Sequence, residues 1–131
     1  MKNILFVCIE NSNRSQMAEA FAKIHGKNLV NAFSAGSQPS GKINPKAVEA
    51  MSLLGYDLSR HKSKSAIDFR NASIDYVITL GCGDECPFLQ AKHREDWNIP
   101  DPGETNMKEF IAVRDLIEEY VFKLLGRIAK Q

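Results

Sequence analysis

A chain of 131 residues with a formal net charge of +1 has the length of one domain with an ordinary core, and no charge excess to draw it to nucleic acid or to an anionic membrane. No apolar run approaches the roughly 20 residues of a membrane span, and the opening NILFVCI is too short for a secretory leader with its flanks. Nothing marks export, so a cytoplasmic location is expected, where the three cysteines rest as thiols and any disulfide is transient and functional.

NILFVCI reads as a first strand, because a continuous apolar run of that length suits a strand buried on both faces of a parallel sheet. Ser12 or Asn13 then caps a helix whose Met17, Ala20, Phe21 and Ile24 share one face and which ends at Gly26. LVNAFSAG is a second strand, stopped at Gly36. After the loop SQPSGKINP, Asn44 and Pro45 open a second helix, expected to carry Val48, Met51, Leu53 and Leu54 and to close at Gly55. IDYVITL is a third strand and REDW a short fourth. Thr105 or Asn106 opens a long helix with an apolar stripe of Phe110, Val113, Ile117, Tyr120, Val121, Leu124 and Ile128. There is no repeat, low-complexity tract or linker, so residues 1–131 are expected to form one domain.

Alternating strands and helices predict an α/β fold with a four-stranded parallel sheet and right-handed crossovers. Such sheets bind ligands at the C-terminal ends of their strands. Cys8 ends the first strand and Cys82 lies just past the third. If those strands are neighbours, their backbones lie roughly 5 Å apart, which is compatible with the Cα spacing of a disulfide.

Ile9, Glu10, Asn11, Ser12 and Asn13 fall between a strand end and a helix start. Backbone N–H groups there lack helical partners and converge on an anion, and the helix N-terminus adds about half a positive charge. Arg14 supplies a planar fork suited to two oxygens of a tetrahedral oxyanion. The same positive field favours the thiolate of Cys8, the attacking form. Asn11 and Ser15 are placed to hold the loop or to donate to the sulfur. An isolated cysteine at a strand end is ordinarily a small hydrophobe. The spacing Cys8–x5–Arg14–Ser15 between strand and helix argues instead for a nucleophile in an oxyanion cradle, attacking phosphorus or arsenic.

CIENSNRS resembles the phosphate-binding loop of the low-molecular-weight protein tyrosine phosphatase fold, and the chain more closely resembles the arsenate reductases built on that fold. The likeness runs nearly the full length, through FSAG, NPKAVEAM, GYDLSRHKS, YVITLGCGDECP and DWNIPDP. It implies a three-layer flavodoxin-like fold with strand order 2-1-3-4, and a substrate loop of residues 9–15. Asp101, in IPDPGE, would alone be ordinary turn chemistry. Beside Cys8 and Arg14, the resemblance makes it the acid that protonates the leaving oxygen. Tyrosine phosphatases of this fold place aromatic residues after the Asp-Pro pair. Gly103 and Glu104 stand there instead, which favours a small inorganic oxyanion.

Cys82 and Cys86 decide between phosphatase and reductase, because a dithiol becoming a disulfide supplies the two electrons that a reduction needs. Gly81 and Gly83 are expected to let that loop move. The resemblance implies a cascade in which Cys8 attacks arsenate, Cys82 attacks the Cys8 sulfur as arsenite departs, and Cys86 attacks Cys82. The Cys82–Cys86 disulfide is then left for an external reductant. Thioredoxin is the expected donor because a third thiol is present, and glutaredoxin with a small thiol is its rival. Phosphate and sulfate are expected competitors, and a monomer without bound cofactor or metal is expected. The alternative function is a phosphatase hydrolysing phosphomonoesters through a Cys8 phosphoenzyme, for which Cys8, Arg14 and Asp101 suffice. A phosphate- or nucleotide-binding module is a third reading, against which the thiol at the loop base argues.

Cys82, Cys86 and His93 as metal ligands lack a fourth partner and a familiar spacing. His93 is expected on the surface, His25 as a helix cap and His61 as a support below the loop. Some thioredoxin-linked relatives carry a cysteine at the place of Asn13, and some hold potassium at positions matching Asn11, Glu19, Ser34, Lys62 and Lys64. Lysine offers a cation no side-chain oxygen. An ammonium from Lys62 or Lys64 is therefore expected to pair with Glu19 and stand in for the ion.

Overall fold

The apolar run at the start of the chain forms β1 (Lys2–Cys8), and its two sets of alternating side chains enter two different cores. Ile4 and Phe6 join the larger cluster with Phe21, Ile78, Trp97, Phe110 and Ile117, while Leu5 and Val7 join the smaller one with Ala35, Ala66, Val77 and Leu89. In this computed structural model, residues 1–81, 89–103 and 105–131 are described; Cys82, Gly83, Cys86 and Glu104 lie outside them. The other elements are α1 (Arg14–His25), β2 (Val30–Gly36), α2 (Pro45–Ser52), β3 (Ile74–Leu80), β4 (Ala91–Trp97) and α3 (Met107–Ala129), with single 3-10 turns at Leu58–Arg60 and Ala66–Phe69.

All strand pairs are parallel, in the order β2-β1-β3-β4. The chain leaves β1 one way through α1 and later crosses back past it, so connections of one hand must lie on opposite faces. The 3-10 turn at Ala66–Phe69 accordingly packs on the smaller cluster, while α1 and α3 cover the larger. Cys8 pairs with Gly36 at the C-terminal edge of the sheet, and β3 ends beside it, so every loop of the site leaves from one side. Among the described residues no helix is long and apolar enough to cross a membrane.

Three expectations need correction. Helix α2 stops at Ser52, and Leu53 and Leu54 lie beyond it with 62% and 46% of their surface exposed. Ala47, Ala50 and Met51 form its buried face instead. The fourth strand is seven residues long rather than the four of REDW; it is an edge strand with mostly exposed side chains, so alternation is weak. At the start of α1, Asn13 occupies the cap position without a side-chain capping bond. Asn44 and Asn106 do cap their helices, accepting from Lys46 N at 2.8 Å and Glu109 N at 2.9 Å.

Candidate active site

The loop after β1 is held by its carbonyls. Cys8, Ile9 and Glu10 accept from the amides of Ser37, Gln38 and Ser40, at 2.8–3.2 Å, and Ser12 accepts from Asn44 N at 3.1 Å. Asn11 takes the left-handed conformation at φ 53°, which its short polar side chain tolerates. Gly36 is needed beside it, since a Cβ there would lie 2.5 Å from Ile9 O and 2.9 Å from Asn11 N. The result is a recess of about 80 Å3 lined by Cys8, Ile9, Glu10, Ser12, Asn13, Arg14 and Asp101. That is the space of about two to three waters, enough for one tetrahedral oxyanion.

Cys8 is a free thiol, 4% exposed. Its Sγ lies 2.8 Å from Ser15 Oγ, and Ser15 Oγ accepts from Asn11 Nδ2 at 2.8 Å. The Asn11 amide is oriented by its own Oδ1, which accepts from Lys64 N at 2.7 Å and Gln16 Nε2 at 2.9 Å. Ser15 therefore has its hydroxyl hydrogen left for Cys8, and a thiolate there receives a charge-assisted hydrogen bond. The support extends further: Gln16 Oε1 accepts from His61 Nδ1 at 3.0 Å, and Tyr56 O–H donates to His61 Nε2 at 2.6 Å. This network is compatible with the neutral imidazole, which burial favours by holding His61 below the usual histidine value against the pull of Glu19.

Arg14 opens α1, 9% exposed, with one arm of its fork committed: Nη1 donates to Ile99 O at 2.9 Å. Nη2 lies 4.0 Å from Asp101 Oδ2. Asp101 is otherwise exposed and accepts from Gly103 N at 3.0 Å, the local turn expected between Pro100 and Gly103. Gly81 packs on Arg14 at φ +82°, where a Cβ would collide with Nη1 and lie 3.0 Å from Ile99 O. Its need is thus steric, a reason that spacing alone did not carry.

Cys8, Ile9, Glu10, Ser12, Asn13, Arg14 and Asp101 thus line one recess, with Asn11 and Ser15 beneath it. Cys82 and Cys86 are outside the described residues, and so is their geometry. Gln16, Tyr56 and Ile99 were not singled out in the sequence; they join the site through contacts 5 to 85 residues apart. Of the two lysines proposed for Glu19, Lys64 reaches it at 3.7 Å. Lys23 also reaches it, at 2.6 Å, whereas Lys62 offers its carbonyl to Gln16 and to Lys64 Nζ. His25 is not a cap: it pairs with Glu118 at 2.9 Å and stacks between Phe21 and Phe122. His93 lies on β4, facing Glu95 at 2.8 Å.

The family described as low molecular weight phosphotyrosine protein phosphatase matches residues 3–131. A glutaredoxin arsenate reductase of Synechocystis is 36% identical over 132 residues, spanning 98% of this chain and 100% of that protein. Arsenate reductase 1 of Staphylococcus epidermidis is 37% identical over 131 residues, spanning 97% and 98%. Among solved structures, an arsenate reductase in its phosphate-binding state superposes with a TM-score of 0.89 at 37% identity, covering 98% of this chain and 99% of that one.

Proposed function

The chain belongs to the low molecular weight phosphotyrosine protein phosphatase family, and on that premise we propose that it is a thiol-dependent arsenate reductase. The observation that carries this reading is the recess itself. It is sized for a bare tetrahedral oxyanion, it joins Cys8, Arg14 and Asp101, and among the described residues no aromatic side chain lines it to clamp a phenyl ring. The arsenate reductases that match this chain end to end support the same substrate.

The chemistry follows from the groups present. Cys8, as thiolate, attacks arsenic while the free edge of Arg14 and the loop amides hold the oxygens. Asp101 gives its proton to the departing oxygen, which leaves as water. The Cys82 thiolate then attacks the Cys8 sulfur. The sulfur–arsenic bond breaks, its electron pair goes to arsenic, and arsenite leaves as the Cys8–Cys82 disulfide forms. Cys86 attacks Cys82 and frees Cys8, and an external dithiol reduces Cys82–Cys86. A thioredoxin-like protein is the proposed donor, with glutaredoxin and a small thiol as the rival. The shared loop also predicts weak hydrolysis of phosphomonoesters, whose organic part has room in the adjoining cleft of about 490 Å3 lined by Lys42, Ile43 and Asn44.

The test is arsenate-dependent consumption of reduced thioredoxin by the parent, Cys82→Ser and Cys86→Ser. Both variants should lose turnover by about a hundredfold or more while still binding phosphate. Turnover equal to the parent in both variants contradicts the cascade.

A further inference from the structure

Beneath the loop, a carboxylate 4% exposed faces two ammonium groups, a hydroxyl and an imidazole. Glu19 accepts from Ser34 Oγ at 2.5 Å and from Lys23 Nζ at 2.6 Å, and it faces His61 Nδ1 at 3.6 Å and Lys64 Nζ at 3.7 Å. A carboxylate this deep needs such partners, because an uncompensated buried charge is strongly unfavourable. Lys23 is a helical neighbour four residues on, with its side chain 47% exposed, and solvent can replace it. Lys64 is different in kind, because it is fixed at both ends.

The Lys64 ammonium donates to Lys62 O at 2.7 Å and faces Glu19 Oε1, so it occupies a nest of oxygens of the sort a hard monovalent cation takes. Its backbone N–H donates to Asn11 Oδ1 at 2.7 Å, and its carbonyl accepts from Gly36 N at 2.8 Å. Asn11 is the left-handed residue of the cradle, and Gly36 is the residue wedged against it. A left-handed residue persists only where its surroundings hold it. The ammonium adds a side-chain anchor to the segment doing the holding, which Gln16 Nε2 also holds at Lys62 O, at 2.9 Å, and Ser63 Oγ ties to Glu10 O, at 3.0 Å. A potassium ion does not fit this nest, since two ammonium groups already face the single carboxylate and a third positive charge would be repelled.

We propose that Lys64 is a positioning residue for oxyanion binding: its ammonium, seated between Glu19 and the Lys62 carbonyl, is a built-in cation that fixes Asn11 and so the cradle around Cys8. This rests on reading the loop as an oxyanion cradle, and not on the thiol cascade. A solvent-open hollow of about 680 Å3 lined by Glu19, Lys23, Lys62 and Lys64 gives free ions a path to the nest once the side chain is removed.

Inorganic phosphate is the probe, titrated by calorimetry into the full chain and its Lys64→Ala variant, in potassium and sodium chloride at equal ionic strength. The parent should bind phosphate equally in both salts, and the variant should bind about tenfold more weakly in sodium and recover most of that loss in potassium. A parent that gains several-fold from potassium overturns the proposal, and that measurement needs no variant to fold. It is also overturned if Lys64→Ala binds phosphate like the parent in sodium, or if its loss is the same in every salt, since Lys64 is then packing and not a cation. Because phosphate is not reduced, failure here is distinct from failure of arsenate turnover.

Discussion

At the scale of single residues, the site separates the groups proposed to react from the groups that hold them. Cys8, Arg14 and Asp101 share one recess, yet each is supported differently: the thiol by Ser15, the guanidinium by Ile99 O, and the acid by a turn of its own. Among the described residues Asp101 touches little, so replacing it should leave the structure intact and remove chemistry alone. Asp101→Asn should lower kcat for arsenate roughly a hundredfold or more, within the range for a lost general acid, with phosphate affinity nearly unchanged. Steady-state kinetics beside phosphate titration will check this; an unchanged kcat would remove Asp101 from the reaction. The spacing Cys8–x5–Arg14–Ser15 was legible because those residues sit within one strand–loop–helix unit. His61 was legible only in part, and Gln16 and Tyr56 were not, because their roles depend on a fold that brings residues 45 apart within hydrogen-bond reach.

At the scale of elements, the cradle depends on strand ends that leave no spare volume. Gly36 from β2 and Gly81 after β3 flank it, and both stand where a methyl group would strike the loop or its arginine. Gly81→Ala combines that collision with a left-handed backbone, so it should cost about 1–3 kcal/mol of stability. It should also raise the KM for arsenate, because Arg14 must shift. A denaturant midpoint and a KM measured on one preparation will test both effects, and an unchanged KM would show that Arg14 keeps its place. The elements themselves were unequally legible. β1 announced itself by burying both faces, and α3 by a stripe that the structure keeps buried at Phe110, Ile117, Val121, Leu124 and Ile128. β4 hid because an edge strand carries charges for solubility, and only Trp97 at its end is buried. The end of α2 was misplaced because Leu53 and Leu54 continue an apolar rhythm into an exposed turn.

At the scale of the whole molecule, several titrating groups bind protons less readily when folded than when unfolded. His61 is lowered by burial. Asp75 is lowered first by the Asn3 N–H it accepts, at 2.7 Å, with Lys92 adding to this. At Glu95 burial acts upward, but hydrogen bonds from Trp97, Arg127 and His93 outweigh it and the net shift is down. In each case the unfolded chain takes up the extra proton, so acid favours unfolding. The contribution of His61 is complete above its unfolded value near 6.5 and is lost below it, and the carboxylate contributions follow below about pH 4.5. Urea midpoints should therefore begin to fall as pH drops through about 6.5 and fall further in the carboxylate range. Midpoints that rise between pH 7 and 5 would contradict the neutral, buried assignment of His61.

The bond from Arg14 to the carbonyl of Ile99 has a consequence for anyone wishing to redirect this scaffold. It ties the proposed anion-binding cation to the very turn that carries the proposed acid two residues later, so the two cannot be tuned apart by editing the turn before Ile99. The independent handle is the length and composition of the stretch after Pro102. Aromatic residues grafted there would add a leaving-group platform beside an undisturbed arginine, and so offer a route for engineering between inorganic and organic substrates.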